Sequence, residues 1–312
     1  MDRTHVPEAL AASHQEYWGD DARAWVDAAP AVLARLLDAW TLTPDGPATH
    51  GTVAWIVPVR RADGSPAVLK LQPQDEETVG EPTALAAWGG DGAVLMLEHD
   101  AASGAMLLER LDATRSLDTI DVDTALETIG GLARRLHAHA PPATTGLRRL
   151  ADDAARILER TRVVAASSGP DLRDVLDRCA AVVTEVLPEP GDRLLHWDLH
   201  YRNVLAPLPG SAAAARGDWL AIDPKPLLGD PGYELLPAVH NRWELAVATG
   251  DPAREGLRRL DLLTEVMGLD RDRARAWTLA RLLANLTWLA EGHRAWFADP
   301  DLTLARALLR RS

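Results

Sequence analysis

The sequence predicts an α+β fold in two parts, a smaller strand-rich region over residues 1–112 and a larger helical region over 113–312. Three patterns carry that expectation. Short apolar runs separated by Gly-, Asp- and Pro-containing turns fill residues 50–110, with strict alternation in the first of them. Beyond Leu111 the apolar residues recur at helical spacing over long segments, interrupted once by a strand-rich interval near residues 194–222. Two parts of different texture joined by one crossing imply a cleft between them, where small ligands usually sit.

Residues 10–40 are Ala- and Leu-rich with helical spacing, and the run Thr43-Pro44-Asp45-Gly46-Pro47 closes them. A strand is expected over 50–60, with Val53, Trp55, Val57 and Val59 on one face. Ala62-Asp63-Gly64-Ser65-Pro66 then turns the chain into a second strand over 67–71 that carries Lys70. Residues 75–88 read as a helix ended by Gly89-Gly90-Asp91-Gly92. A second hairpin joins 94–98 to 106–110. Helices follow at 122–139, 150–165 and 172–187, then strands at 194–196, 203–205 and 219–222, then at least three helices from Tyr233 to Leu309. The stretch Ala206–Asp218 reads as a flexible hairpin loop of the larger part.

Composition narrows the function. The 312 residues carry 33 basic and 46 acidic side chains, a formal net charge of −13, which disfavours nucleic acid and anionic membranes and favours cationic small molecules. The first 25 residues scatter Asp2, Arg3, Glu8, Glu16, Asp20 and Asp21 among apolar positions, and no later stretch is long and apolar enough to span a bilayer. A cytoplasmic protein without a membrane partner, acting as a monomer, is expected. The single cysteine, Cys179, excludes an internal disulfide and a thiolate-built zinc site and reads as a helix-packing residue.

Only two of the 33 basic residues are lysine, Lys70 and Lys225. In a chain where arginine is the habitual cation, a retained lysine suggests a need for a compact ammonium on a flexible stem. Neither lysine follows a glycine, so a Walker loop is excluded. The simple signatures of dinucleotide binding, α/β-hydrolase and zincin chemistry are also missing.

The chemistry gathers at Leu195-His196-Trp197-Asp198-Leu199-His200-Tyr201-Arg202-Asn203-Val204-Leu205. An Asp and an Asn five residues apart, on a loop between apolar strands, can aim both side chains at one phosphate. The Asp can accept a hydroxyl proton and the Asn can ligate Mg²⁺. A second carboxylate, Asp223, ends the apolar run Trp219-Leu220-Ala221-Ile222 and begins Asp223-Pro224-Lys225-Pro226.

This H-x-D-L-x-x-x-x-N followed by I-D resembles the catalytic and metal loops of protein-kinase-like phosphotransferases. Trp197 in place of the protein-kinase Arg, and Asp-Pro-Lys in place of Asp-Phe-Gly, are similar instead to the aminoglycoside phosphotransferase family. Ile-Asp-Pro-Lys-Pro with Gly229-Asp230-Pro231 resembles its streptomycin 6-kinase and hydroxyurea phosphotransferase branch. Residues 5–10, the Trp88–Gly92 turn, Leu107-Leu108-Glu109-Arg110-Leu111 and Trp277-Thr278-Leu279-Ala280-Arg281 extend the likeness over nearly the whole chain.

The resemblance implies a two-lobed protein-kinase-like fold, ATP and Mg²⁺ as cofactors, and phosphorylation of streptomycin at its 6-hydroxyl. It implies that Lys70 binds the α/β-phosphates, held by Glu81, with Glu77 as the alternative partner. Gly51 and Thr52 would cover the phosphates, and the backbone at Glu109–Leu111 would meet adenine. Asp198 would take the acceptor proton, with Asn203 and Asp223 on the metal. His196 would brace the loop, and Lys225 would serve either the phosphates or an ion pair. Guanidinium groups of the drug are best met by carboxylates. Asp230, Glu234 and Glu244, with Asp251 and Glu255 further on, are therefore candidates for the acceptor pocket beside Tyr233 and Trp243, although Asp230 could equally cap a helix. Hydroxyurea, a peptide antibiotic or a small metabolite would be alternative acceptors on the same machinery. A non-enzymatic drug- or nucleotide-sequestering protein would be expected to have lost one of Lys70, Asp198, Asn203 and Asp223, and all four are present.

Overall fold

The computed structural model describes residues 5–19, 21–142, 146–293 and 297–311. Asp2, Arg3 and Asp20, named above among the first 25 residues, lie outside the described residues. The chain divides into two compact units, one of Met1–Ala113 with Ala206–Asp218 and one of Thr114–Leu205 with Trp219–Ser312.

In the first unit, helices α1 (Glu8–Trp18) and α2 (Asp21–Ala39) precede strands β1 (Thr43–Pro44), β2 (Thr49–His50), β3 (Trp55–Arg60) and β4 (Pro66–Leu71). Helix α3 (Glu81–Trp88) and strands β5 (Met96–Asp100) and β6 (Ala105–Glu109) follow. The sheet order is β1-β3-β4-β6-β5, with β2 folded back on β3, and all of these pairings are antiparallel. Alternation sorts its faces. Trp55, Val57, Val59, Leu69, Leu71 and Leu107 pack under Leu10, Leu33 and Leu36 of the two helices. Lys70, between Leu69 and Leu71, must therefore point to the opposite face.

Two expectations need correction here. The strand expected from His50 begins at Trp55. Residues 49–50 instead turn back to pair with 55–56, closed by the Gly51 N–H donating to the Ala54 carbonyl. The helix expected from Asp75 begins at Glu81, because Asp75 Oδ1 accepts the amides of Glu77 and Thr78, each at 2.9 Å, and so offers the backbone a turn in place of a helix. Glycine matters at the end of α3, where Gly89 and Gly90 take φ of +55° and +84°.

The segment Ala206–Asp218, expected within the larger part, belongs to the first unit. The Arg216 guanidinium explains this, since it donates to the carbonyls of Gly90 and Ala93 and pairs with the Glu109 carboxylate. Arg216→Ala is expected to release the segment. Loss of charge-assisted hydrogen bonds worth about 2–3 kcal/mol should appear as faster amide exchange confined to 206–218 and the 89–95 turn.

Strand β7 (Leu111–Ser116) leads into the second unit, which comprises α4 (Val122–His137), β8 (Arg148–Arg149), α5 (Leu150–Ser167), α6 (Pro170–Val186), β9 (Arg193–Leu195), the first two residues of β10 (Val204–Pro207), β11 (Leu220–Ala221) and β12 (Leu227–Gly229). It ends in α7 (Leu236–His240), α8 (Trp243–Ala248), α9 (Pro252–Met267), α10 (Arg271–Ala290) and α11 (Ala298–Arg310). Helix α10 is central: Trp277, Leu279, Leu282, Leu283 and Leu286 are all buried. Cys179 on α6 is fully buried and burial pushes its thiol up to about 12, which fits packing and excludes a reactive thiolate. Among the described residues no helix is long and apolar enough to cross a membrane.

Candidate active site

Two short strand pairs of the second unit frame the loops singled out above. β12 runs antiparallel to β9 with Leu227 opposite Leu195, and β10 runs antiparallel to β11 with Val204 opposite Ala221. The loop 196–203 leaves β9 and enters β10, and the loop 222–226 leaves β11 and enters β12. Each loop is thus fixed at both ends by the same two ladders. Three bonds tie them directly: the Ile222 N–H donates to the Asn203 carbonyl at 2.9 Å, the Lys225 N–H to the His196 carbonyl at 3.0 Å, and His196 Nε2 meets the Ile222 carbonyl at 3.0 Å. The registers therefore bring residues 198, 203, 223 and 225 to one end of both pairs.

Within that end, Asn203 Nδ2 donates to the Asp198 carbonyl at 2.9 Å, a bond that does not involve Asn203 Oδ1. Lys225 Nζ lies 3.7 Å from Asp198 Oδ2, and His200 Nε2 lies 3.9 Å from Asp198 Oδ1. Burial pushes the His200 imidazole down despite the pull of Asp198, so near neutral pH it faces Asp198 uncharged. His196 is fully buried and its pKa is likewise pushed down by burial against the opposing pull of Glu234. A neutral ring suits a brace between two loops.

Backbone strain marks the same place. Trp197 and Asp223 are two of only four non-glycine residues at positive φ among the described residues, at +67° and +59°. Such a conformation costs about 1–2 kcal/mol for a residue with a Cβ and persists only where surroundings impose it. At Trp197 the surroundings are explicit: Arg281 and Arg148 lie 3.8 and 4.3 Å from the indole centroid, and the Trp197 N–H donates to Glu234 Oε1 at 3.1 Å.

Glu234 and Asp230, expected in an acceptor pocket, do other work. Glu234 is 3 % exposed, accepts the amides of both His196 and Trp197 on Oε1, and pairs with His137 Nε2 through Oε2 at 2.5 Å. Asp230 caps the turn after β12 by accepting the Gly232 N–H, and its other oxygen pairs with Arg273. Both carboxylates are committed to the fold. Glu244 is exposed and Trp243 half-buried on α8, and Trp243 packs beside Gly256. Asp251 caps α9, and Glu255 pairs with Arg258 and Arg259.

In the first unit, Lys70 and Glu81 form a buried pair, with Nζ 2.7 Å from both carboxylate oxygens and Gln72 Nε2 2.7 Å from Oε2. The alternative partner, Glu77, sits in the 76–80 turn, where its N–H donates to Asp75. Gly51 and Thr52 are exposed on the β2–β3 turn. A Cβ at Gly51 would touch nothing, so the fold itself does not require glycine there. The Glu109 N–H already donates to the Leu95 carbonyl, and its carboxylate holds Leu95 N–H and Arg216.

Sequence reasoning missed His137, which lies 97 residues from the glutamate it pairs with, and no local pattern signals it. It also missed the arginines stacked on Trp197, since stacking is set by tertiary packing alone.

An antiparallel sheet carrying a buried Lys–Glu pair, followed by a helical unit whose short ladders present an Asp, an Asn and a second Asp, defines a protein-kinase-like phosphotransferase fold. The chain belongs to the aminoglycoside/hydroxyurea antibiotic resistance kinase family, whose model matches residues 39–292. It is 49 % identical to a streptomycin 6-kinase of Streptomyces glaucescens, over 97 % of this chain and 96 % of that one. It is 45 % identical to a hydroxyurea phosphotransferase of Kitasatospora aureofaciens, over 98 % and 86 %. An amicoumacin kinase solved with AMP-PNP, Ca²⁺ and Ami shares the fold at a TM-score of 0.55 and 14 % identity, covering 94 % of this chain and 96 % of that one.

Proposed function

We propose that the chain transfers the γ-phosphoryl group of ATP to the 6-hydroxyl of streptomycin and so inactivates the drug. The observation that carries this reading is the 49 % identity to a streptomycin 6-kinase along 97 % of the chain. The side chains needed for the chemistry are all present.

Phosphoryl transfer requires mostly positioning and charge stabilisation. Asp198 would orient the acceptor hydroxyl and accept its proton, from a loop held at both ends by strand pairs. Lys70, fixed by Glu81, would neutralise the α/β-phosphates, and the Gly51–Thr52 turn would close over them with backbone amides. The Glu109–Leu111 backbone would meet adenine. Asn203 Oδ1 and the Asp223 carboxylate are hard oxygen donors that suit Mg²⁺. When bound, Mg²⁺ would offset the charge of the β- and γ-phosphates. Trp243 and Glu244 remain the acceptor-side candidates. A cytoplasmic location and a monomer accord with this reading.

Purified protein with Mg-ATP and streptomycin should yield drug one phosphate heavier by mass spectrometry, with the phosphate mapped to the 6-position by NMR. Unmodified streptomycin would refute the assignment. Hydroxyurea is the second acceptor to test because of the 45 % identity to a hydroxyurea phosphotransferase.

A further inference from the structure

Lys225, whose role the sequence left open between the phosphates and an ion pair, is one of two lysines among 33 basic residues, and the other is the buried partner of Glu81. Its ammonium stands 3.7 Å from Asp198 Oδ2, which is charge-pairing distance and longer than a hydrogen bond, and its side chain is one-third exposed. The backbone beneath it is rigid. Pro224 and Pro226 flank it, its N–H is bonded to His196, and β12 pairing starts two residues later. The Trp197 ring lies 6.0 Å from Nζ and adds a cation–π attraction that guides the stem.

The charge balance gives that placement a purpose. Asp198 and Asp223 bring two negative charges to the loop ends, and a triphosphate brings more. During transfer, negative charge spreads over the equatorial oxygens of the moving group while a proton approaches Asp198. A fixed cation beside Asp198 lies where both changes occur.

We propose that Lys225 is a second catalytic cation, whose ammonium bridges Asp198 and an oxygen of the γ-phosphoryl group in transit. The inference rests on the phosphotransferase reading above. In the step, a bond forms between the acceptor oxygen and the γ-phosphorus. The bond from that phosphorus to the β,γ-bridging oxygen breaks, and its electron pair leaves on ADP. The hydroxyl proton passes to Asp198, and Lys225 keeps its own protons throughout. A lysine suits the position because a compact ammonium can serve two anions on different sides, whereas a planar guanidinium would pair with Asp198 in a fork.

The full chain with Lys225→Met, Lys225→Gln and Lys225→Arg provides the test, read in three ways. Turnover on streptomycin and drug-independent ATP hydrolysis should both fall about 100-fold in the Met and Gln variants. The Kd for Mg-AMP-PNP should stay within about threefold, while affinity for Mg-ADP with aluminium fluoride, a mimic of the group in transit, should fall at least about 30-fold. Arg should restore less than about a tenth of the lost turnover. Should Met fold poorly by thermal melting, Gln, which keeps the polar stem, carries the comparison. A loss of turnover below about fivefold overturns the proposal, as does equal weakening of AMP-PNP and the fluoride complex, which would mark a ground-state or structural role. Wild-type protein that hydrolyses ATP with this Lys225 dependence but leaves streptomycin untouched would sink the acceptor assignment and leave the inference standing. Wild-type protein that neither binds Mg-AMP-PNP nor hydrolyses ATP would overturn both.

Discussion

Asp198→Ala is expected to lower turnover by about 10³–10⁴-fold, within the range for losing a positioned general base, while Mg-ATP still binds. The expectation follows from where the side chain sits. Its loop is clamped by the β9–β12 and β10–β11 ladders, its carbonyl is held by Asn203, and the preceding two amides are held by Glu234. Truncation at Cβ therefore removes the carboxylate and leaves the loop in place. Lys70, Glu81, Asn203 and Asp223 keep their positions, so nucleotide affinity measured by calorimetry should change by less than about threefold, and the loss should fall on kcat. Asp198→Asn should behave similarly, since an amide preserves shape but accepts no proton. Near-normal turnover in either variant would remove Asp198 from proton transfer. An equal collapse of nucleotide affinity would make it a binding residue.

How legible this was in the sequence differs from part to part, for physical reasons. The α+β class was readable because alternation and helical spacing report directly on which faces are buried, as the Trp55, Val57 and Val59 face shows. The loop residues were readable because Asp, Asn and Asp at strand ends are a local pattern, and the ladders then fix their relation. The 75–80 turn was not, since helical spacing says nothing of an Asx turn that competes with the first helical turn. Nor was the attachment of Ala206–Asp218 to the first unit, which depends on Arg216 finding Glu109 more than 100 residues away in sequence. The inward roles of Asp230, for which the cap was an equal reading, and of Glu234 were not legible for a related reason. A sequence displays a carboxylate's charge and not its direction, so an inward brace and a pocket wall look the same. Positive φ at Trp197 has no sequence signal, because only glycine announces the left-handed region.

Glu234→Ala should be the most destabilising single change considered, by about 3–5 kcal/mol, because it leaves buried donors without an acceptor at about 1–3 kcal/mol each. Three groups lose their acceptor at once: the amides of His196 and Trp197, and the His137 ring. The apparent melting temperature of the second unit should drop by roughly 10 °C. Burial alone would push the Glu234 carboxyl up, but its contact with the His137 ring and the backbone amide it accepts from Trp197 hold it below the usual glutamate range. A carboxylate lowered in the folded state contributes stability above its unfolded pKa and loses it as pH falls through the folded value. Wild-type stability should therefore decline on acidification below the ordinary glutamate range, and Glu234→Gln should show a shallower decline because it has no such proton to take up. Urea midpoints measured at about pH 7 and about pH 3.5 give the comparison. Parallel acid limbs in the two proteins would mean that Glu234 is not the ionised brace of the Asp198 loop. A shallower limb in the variant, together with lower kcat at unchanged nucleotide affinity, would tie that buried charge to the positioning of Asp198.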